Sequence, residues 1–258
     1  MSQASLVVWT VTDCRRVHDA TLAVLAECGV EVLGHPAALQ VLRDLGADVR
    51  GTRVRMGAAL VEAALRSAPR TWSLRSRGAP GEVLLEQGQT YFGTGSDTLY
   101  VTDFATGERR RAQLADVEAF AALCEQLPEL DFVMSMGLPV DVPREVDDVA
   151  PVAAMLAGTR KPLWVAPRDG SVVPLIREMC EACGSADSLG IYAMPSPPLQ
   201  HDADALTKLE ACARLQIPVV YAPAAHAGGS APASVAAVAT VGNAEVLSGL
   251  VYHQAVRP

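Results

Sequence analysis

The sequence predicts a mixed α/β protein whose second half contains a parallel sheet, and three observations support this. After Leu114, short apolar runs alternate with helical patterns, which is typical of consecutive βα units. Between Thr71 and Arg111, short alternating runs interrupted by glycines predict antiparallel hairpins. The chain has 258 residues, 50% hydrophobic and 19% charged, and can therefore bury a sizeable core.

The first part of the chain predicts three helices. Apolar residues recur at helical spacing over 13–28, 35–45 and 54–69. Gly29 follows the first of these segments as a stop signal, and Pro36 begins the second. We therefore expect a helical and antiparallel β region over 1–113.

Residues 114–258 predict four strands, each followed by a helix. This pattern fits either half of a (β/α)₈ barrel or part of an open doubly wound sheet, and no G-x-G-x-x-G follows a strand, which disfavours a dinucleotide site. Because roughly 250 residues usually hold eight units, a barrel would be truncated at Pro258. The predicted elements are helices 115–126, 145–157, 171–183, 203–215 and 232–255, with strands 131–136, 163–166, 189–194 and 218–222.

Charge and composition exclude several classes of protein. A net charge of −8 would repel a phosphate backbone, so no nucleic acid partner is expected. The apolar stretch 231–256 contains Asn243, Glu245 and His253, which favours a buried helix over a membrane span. Because 1–12 lacks a basic leader region and the six cysteines are scattered, a cytoplasmic location is expected.

Four segments resemble the trimethylamine methyltransferase (MttB-like) family of corrinoid-dependent methyltransferases. They are HDATLAVLAECGVEVLGHPAALQVLRDLGADVRGTRVRM, YFGTGSDTLYVTDFATGERRRAQLADVEAFAALCEQLPELDFV, SPPLQHDADALTKLEACARLQIPVVYAP and APASVAAVATVGNAEVLSGLV. The resemblance implies a (β/α)₈ TIM barrel, of which this chain would be the N-terminal half. It also implies transfer of a methyl group from a methylated or quaternary amine, such as trimethylamine or glycine betaine, to the cob(I)alamin of a cognate corrinoid protein. The corrinoid would be carried by that partner and not bound tightly by this chain.

In a parallel barrel the functional residues follow the strands. A quaternary ammonium has no N–H to donate, so aromatic faces and negative charge must hold it. A strand-end tyrosine can instead pack its ring in the core and hydrogen bond its hydroxyl, so both interpretations stay open. The candidate substrate-binding residues are Asp97, Tyr100, Tyr192, Ser196, Tyr221 and His226. Asp97 and Tyr100 are expected in the glycine-rich hairpin, and the other four at or after the ends of strands 189–194 and 218–222.

No catalytic side chain is assigned, because displacement of a neutral amine requires no protein nucleophile. His201 is expected to support the cap of helix 203–215 beside Asp202. The pair Cys180 and Cys183 has no second C-x-x-C, and no metal site is predicted.

Two other functions compete with this one. A half-barrel leaves an unpaired edge strand, so the chain could be a non-catalytic assembly partner or an inactive remnant, and a homo-oligomer is expected. An unrelated α/β lyase or aldolase would need a Schiff-base lysine, and neither Lys161 nor Lys208 ends a strand on its inner face.

Overall fold

The computed structural model of the protein describes residues 8–78 and 81–257, so most of the apolar segment near Met1 lies outside the described residues. The described chain forms two compact units. Unit 1 takes Met1–Ala68, Met194–Leu206 and Tyr221–Pro258, and unit 2 takes Pro69–Ala193 and Thr207–Val220, as far as these are described. The predicted division at 113/114 lies inside unit 2 and stays a prediction.

The predicted helices of the first part of the chain are confirmed in unit 1. Helix α1 (Val11–Glu27) begins at a capping box, in which Thr10 Oγ1 accepts a hydrogen bond from the Asp13 amide. Gly29 follows α1 with a φ of +70°, a backbone conformation that favours glycine. Helices α2 (Pro36–Asp44) and α3 (Ala58–Ser67) complete the set.

Unit 1 also contains a four-stranded sheet that the sequence analysis did not predict. Its strands are β1 (Val30–Val32), β2 (Asp48–Arg50), β3 (Arg53–Arg55) and β10 (Gln200–His201), in the order β10-β1-β3-β2. Strand β10 runs parallel to β1, whereas β1, β3 and β2 pair antiparallel. These strands are two or three residues long, too short for an alternating pattern to stand out from the flanking helices.

Helix α8 (Val235–Val256) is the central element of unit 1, and α1, α2 and α3 all pack against it. By length and composition it could cross a membrane, but 44% of its 18-residue apolar stretch is buried inside the protein. A helix in the core of a soluble protein can have the same length and apolar composition. Its buried residues include Ser248, Glu245 and Gln254, which are unusual on a lipid-facing helix.

A buried hydrogen-bond network joins α8 to β10. The His201 side chain, 2% exposed, bonds through Nδ1 to Tyr221 Oη (2.6 Å) and through Nε2 to Ser248 Oγ (2.8 Å). Glu245, fully buried, accepts the Leu199 amide on Oε1 (2.8 Å), while Oε2 has no hydrogen-bond partner among the described residues. Burial lowers the pKa of His201 from its ordinary 6.5 to about 4 and raises the pKa of Glu245, because burial disfavours the charged form of each group.

Unit 2 begins with two hairpins, as the sequence predicts. Strands β4 (Trp72–Arg75) and β5 (Glu82–Leu85) pair antiparallel, and so do β6 (Tyr100–Thr102) and β7 (Arg109–Arg111). The elements that follow are α4 (Leu114–Glu125), α5 (Ala150–Gly158), β8 (Leu163–Val165), α6 (Val173–Ala182), β9 (Leu189–Ala193), α7 (Ala203–Leu215) and β11 (Val219–Tyr221). Along the chain, α7 and β11 each extend into unit 1.

The sheet of unit 2 has one more parallel segment than the four strands predicted. Residues 92–98 run parallel to 132–137, through bridges from Gly93 to Phe132 and from Thr98 to Gly137. Thr94 Oγ1 accepts the Met134 amide (2.7 Å). Val133 then bridges to Leu163 of β8, β8 pairs parallel with β9, and β9 is hydrogen bonded to β11. The hydrogen-bonded neighbours therefore follow chain order.

The two faces of this sheet carry different cores. One face packs against helices α4, α5 and α6, and the other packs against hairpin β4–β5. On the hairpin face, Trp164 lies directly over Gly190, where an added Cβ would come within 2.3 Å of the indole. The helix face presents Val133, Leu163, Val165, Leu189 and Ile191, and the hairpin face presents Phe132, Met134, Trp164 and Tyr192.

Hairpin β4–β5 lies at the amino ends of the parallel strands. Arg77 of the turn after β4 donates its amide to Arg160 O (2.7 Å), just before β8, and Ser188 Oγ, just before β9, donates to Arg75 O. The hairpin thus covers one end of the sheet and leaves the carboxyl ends of the strands on the other side. The fold is mixed α/β, as predicted, and no sheet closes on itself within 8–78 and 81–257. The partial barrel stays a prediction.

Substitution Gly190→Ala tests the contact with Trp164. The new methyl group would overlap the indole, so we expect unfolding in urea to require about 1–3 kcal/mol less free energy than in the wild type. Gly95→Ala is the matched control, because Gly95 is exposed and no heavy atom lies within 4 Å of its added Cβ. Equal losses in the two variants would contradict the close packing.

The buried His201 predicts a pH dependence of stability. Because its folded pKa is depressed, its contribution is full above about pH 6.5 and is lost as the pH falls to about 4. Glu245 acts in the opposite direction, since protonation of its buried carboxyl relieves a cost. We expect the free energy of unfolding to fall by up to about 3 kcal/mol more in the wild type than in His201→Gln between pH 7 and 4. His226→Gln, at an exposed histidine, should keep the wild-type slope; identical slopes in all three proteins would refute the assignment.

Candidate active site

The carboxyl ends of the parallel strands in unit 2 form the first part of the candidate site. We define the carboxyl rim as Asp97, Met136, Arg168 and Tyr192, each following or ending one of these strands. Asp97 and Met136 have φ values of 65° and 58°, so two adjacent strands end in left-handed residues that are not glycine. Such backbone conformations cost free energy and concentrate at functional sites.

Asp97 presents its carboxylate to solvent at this rim. The residue is exposed, and the Ser96 hydroxyl donates a hydrogen bond to Oδ2 (2.8 Å). No cation of the described residues lies within salt-bridge distance of Asp97. The predicted candidate is therefore an accessible negative charge, at the end of a strand and not in a hairpin.

Tyr192 lies on the hairpin face of the sheet, next to the cluster around Trp164. Its side chain is half-buried. Its hydroxyl makes no hydrogen bond with the described part of the chain. The alternative that a strand-end tyrosine is purely structural therefore fits the packed ring but not the hydroxyl. The exposed part of Tyr192 is available to a ligand.

Other polar residues at strand ends have structural partners. Arg168 forms ion pairs with Asp147 and, at 3.9 Å, with Asp148; the hydrogen bond to Asp147 raises the pKa of the guanidinium. Hydrogen bonds from the Ser171 side chain and from the Ser171 amide (2.7 Å) hold the pKa of Asp169 low. Asp141 accepts the amide of Leu114 at the start of α4 (2.9 Å). These groups shape the loops, whereas the carboxylate of Asp97 accepts a hydrogen bond only from the neighbouring Ser96 among the described residues.

Tyr100 lies on hairpin β6–β7 beside two cations of the chain itself. The Arg109 and Arg111 guanidinium carbons lie 4.0 Å and 5.2 Å from its ring centroid. Both distances are within the range of a cation–π contact. The Tyr100 ring, which was predicted to bind a substrate cation, is thus already in contact with two arginines.

In unit 1, Ser196 and Tyr221 also have internal partners. Ser196 Oγ donates to Asp202 Oδ2 (2.5 Å), and Asp202 Oδ1 accepts the Ala205 amide (2.8 Å), which caps α7 as predicted. The Tyr221 hydroxyl bonds to His201, and the two rings stack with centroids 5.8 Å apart. Burial raises the pKa of Tyr221.

His226 occupies a tight turn before α8. Its amide donates to Ser230 Oγ (3.0 Å), and its carbonyl accepts the amides of Gly229 and Ala231. The imidazole is exposed and makes no hydrogen bond with the described residues. Its side chain is therefore accessible from solvent, and its binding role stays a prediction.

The predicted site residues divide between the two units. Asp97, Tyr100 and Tyr192 belong to unit 2, and Ser196, Tyr221 and His226 belong to unit 1. Sequence reasoning missed the role of His201, which was expected to support a cap and instead bonds to Tyr221 and Ser248. The sequence around His201 gave no signal for this contact, because its partners are 20 and 47 residues away.

The cysteines carry no sign of a metal or redox site. All six are free, and Cys180 is buried whereas Cys183 is exposed. Burial raises the pKa of the Cys180 thiol to about 11, which disfavours the reactive thiolate. Among residues 8–78 and 81–257, no three His, Cys, Asp or Glu side chains are grouped to hold a metal ion.

Comparison with known proteins adds the family. A family model described as trimethylamine methyltransferase (MTTB) matches residues 4–258. A glycine betaine methyltransferase of Desulfitobacterium hafniense is 27% identical over 97% of this chain and 54% of its own length. A trimethylamine methyltransferase MttB of Methanosarcina barkeri is 29% identical over all of this chain and 55% of its own length.

The chain therefore spans about half the length of the curated relatives that it matches. The family match nevertheless extends across both compact units and includes every candidate site residue. The chain belongs to the trimethylamine methyltransferase family.

Proposed function

We propose that this chain contributes to methyl transfer from a methylated or quaternary amine to the cob(I)alamin of a separate corrinoid protein in the cytoplasm. The observation that carries the proposal is the family match over 4–258, with relatives named for trimethylamine and glycine betaine. Both relatives are named as enzymes, so a non-catalytic remnant is not favoured. A homo-oligomeric state remains part of the proposal.

We further propose that the parallel segments of unit 2 are consecutive strands of a (β/α)₈ barrel. The neighbours 92–98, 132–137, β8, β9 and β11 follow chain order, whereas a doubly wound sheet reverses its order at a switch point. Helices cover one face, and hairpin β4–β5 covers the amino end of the other. Active sites of barrels lie at the opposite, carboxyl end.

The chemistry required of the protein is modest. The demethylated amine would leave as a neutral molecule, because its nitrogen keeps the electron pair of the broken C–N bond. The corrinoid acceptor would supply the electron pair for the new bond to the methyl carbon. The protein must position the methyl carbon, surround the cation and exclude water. We assign Asp97 and Tyr192 to the cation, because one offers a carboxylate with no ion-pair partner among the described residues and the other a half-buried aromatic ring at the carboxyl rim.

The activity itself is tested by mixing the protein with trimethylamine or glycine betaine and cob(I)alamin, either free or bound to a corrinoid protein. We expect the absorbance of the methylated corrinoid to increase only when amine and protein are both present. The absence of methyl transfer to either acceptor, together with no saturable binding of either amine, would contradict the proposal.

Substitution Asp97→Asn isolates the negative charge at the rim. Asparagine tolerates the left-handed backbone that Asp97 adopts, so the fold is kept and only the charge is lost. We expect glycine betaine to bind about two- to fivefold more weakly by calorimetry, the range of an exposed ion pair.

Asp187→Asn is the matched control, because exposed Asp187 lies just before β9, at the amino end of the same sheet. It should bind glycine betaine like the wild type. If both variants lose the same affinity, the effect comes from overall charge and Asp97 has no specific role.

A further inference from the structure

Hairpin β6–β7 separates three consecutive arginines onto two faces. In an extended strand, alternate side chains point to opposite sides. Arg109 and Arg111 are exposed on one side with Tyr100, while Arg110 between them is half-buried on the other. The run RRR is therefore not one uniformly solvated edge.

The two faces differ in how their charge is compensated. Arg110 donates to both carboxylate oxygens of Asp116 (2.7 and 2.8 Å) and to Asp103 (3.2 Å), and this raises the pKa of its guanidinium. In the described part of the chain, no carboxylate lies within salt-bridge distance of Arg109 or Arg111. Two uncompensated cations thus stand together on a protein whose net charge is −8.

Hydrogen bonds in the turn and contacts with an aromatic ring order the hairpin that carries these cations. Asp103 accepts the amides of Ala105 and Thr106 (both 3.1 Å), which fixes the turn of the hairpin. The Tyr100 ring supports both guanidinium groups. A surface that is ordered before a partner arrives loses less conformational entropy on binding.

The tip of the same hairpin exposes a large apolar side chain. Phe104 is fully exposed, at 104% of its reference area. Arginine, tyrosine and phenylalanine are the residue types that protein interfaces enrich, whereas solvated edges favour lysine. We call Tyr100, Phe104, Arg109 and Arg111 the arginine face.

The arginine face lies beside the carboxyl rim. The hairpin directly follows segment 92–98, and the Ala112 amide after it donates to Leu99 O (3.3 Å). The Val140 amide, beyond the end of the next parallel segment, donates to Ala112 O (3.0 Å). A partner bound to the hairpin would therefore be close to the proposed reaction site.

We propose that the arginine face is a docking surface for an acidic patch on the corrinoid protein that accepts the methyl group. The proposal rests on the proposed function for the identity of the partner, and on charge complementarity for its chemistry. Two cations, a tyrosine and an apolar tip fit a protein surface better than a phosphate backbone, which the net charge of the chain repels.

The test is a titration of the protein with cobalamin-loaded corrinoid protein, measured by calorimetry for the wild type and for Arg109→Glu/Arg111→Glu. We expect the double variant to bind at least about tenfold more weakly, because like charges then face each other. Arg66→Glu/Arg70→Glu makes the same change of charge at two exposed arginines elsewhere and should bind within about twofold of the wild type. Circular dichroism verifies that each variant is folded.

Phe104→Ala provides a second variant that cannot disturb packing, since the side chain is fully exposed. It should weaken binding about threefold or more. Equal affinity in the wild type, the Arg109/Arg111 variant and Phe104→Ala overturns the docking surface. Binding of a single-stranded RNA in place of the corrinoid protein, lost in the same variants, also overturns it.

Methyl transfer to free cob(I)alamin separates this proposal from the proposed function. If the docking surface is right, the Arg109/Arg111 variant retains transfer to free cob(I)alamin and loses transfer to the corrinoid protein. If the wild type transfers to both acceptors and the variant does so equally, only the docking surface fails. If the wild type binds no corrinoid protein and transfers to neither acceptor, both proposals fail.

Discussion

The contact between Trp164 and Gly190 is the constraint on which the arrangement of unit 2 depends. The sheet has helices on one face and a hairpin on the other, so 132–137, β8 and β9 each supply alternate residues to two different cores. The indole fills the hairpin side only because the neighbouring strand has no side chain at Gly190. A Cβ at this position would displace the Trp164 indole from the hairpin face. The packing around Tyr192 on the same face would change with it.

Unit 1 depends on a different kind of interaction. Helix α8 is almost uncharged, yet its buried face carries Ser248 and Glu245, which are hydrogen bonded to His201 and to the Leu199 amide. A buried polar group without a partner costs free energy, so these bonds fix one register of α8 against the turn before β10. The free oxygen of Glu245 is compatible with burial because the raised pKa of the carboxyl favours its neutral form.

The helices and four of the five parallel segments of unit 2 could be predicted from the sequence because their patterns are long or bounded by glycine and proline. Helix 203–215 agrees with α7 at both ends. The strands β1, β2 and β3 could not be predicted, since three residues do not establish a period. Segment 92–98 was assigned to a hairpin because its glycines suggest turns, whereas its partner is a strand about 40 residues later, which no local pattern encodes.

The candidate site shows the same limit for side chains. The sequence placed Tyr192 within an apolar strand, where it lies, but it placed Asp97 in a hairpin, and residue type alone could not distinguish an available tyrosine from a satisfied one. Tyr221 is bonded to a histidine brought close by the fold, and the Tyr100 ring contacts arginines across a hairpin. What a tyrosine can bind is therefore decided by its neighbours in space.

The three arginines of β7 also differ only through their neighbours in space. All three residues are arginine, and strand alternation alone gives them different roles. Arg110 forms ion pairs with Asp103 and Asp116, and these pairs stabilise the hairpin. Arg109 and Arg111 have no carboxylate within salt-bridge distance in the described part of the chain. The same geometry that places Arg109 and Arg111 against Tyr100 removes that ring from the aromatic surround of a substrate cation. An ammonium ion approaching the hairpin would meet like charge. The free charge of this hairpin therefore supports the proposed assignment of the substrate cation to Asp97 and Tyr192, and it is compatible with the proposed anionic partner.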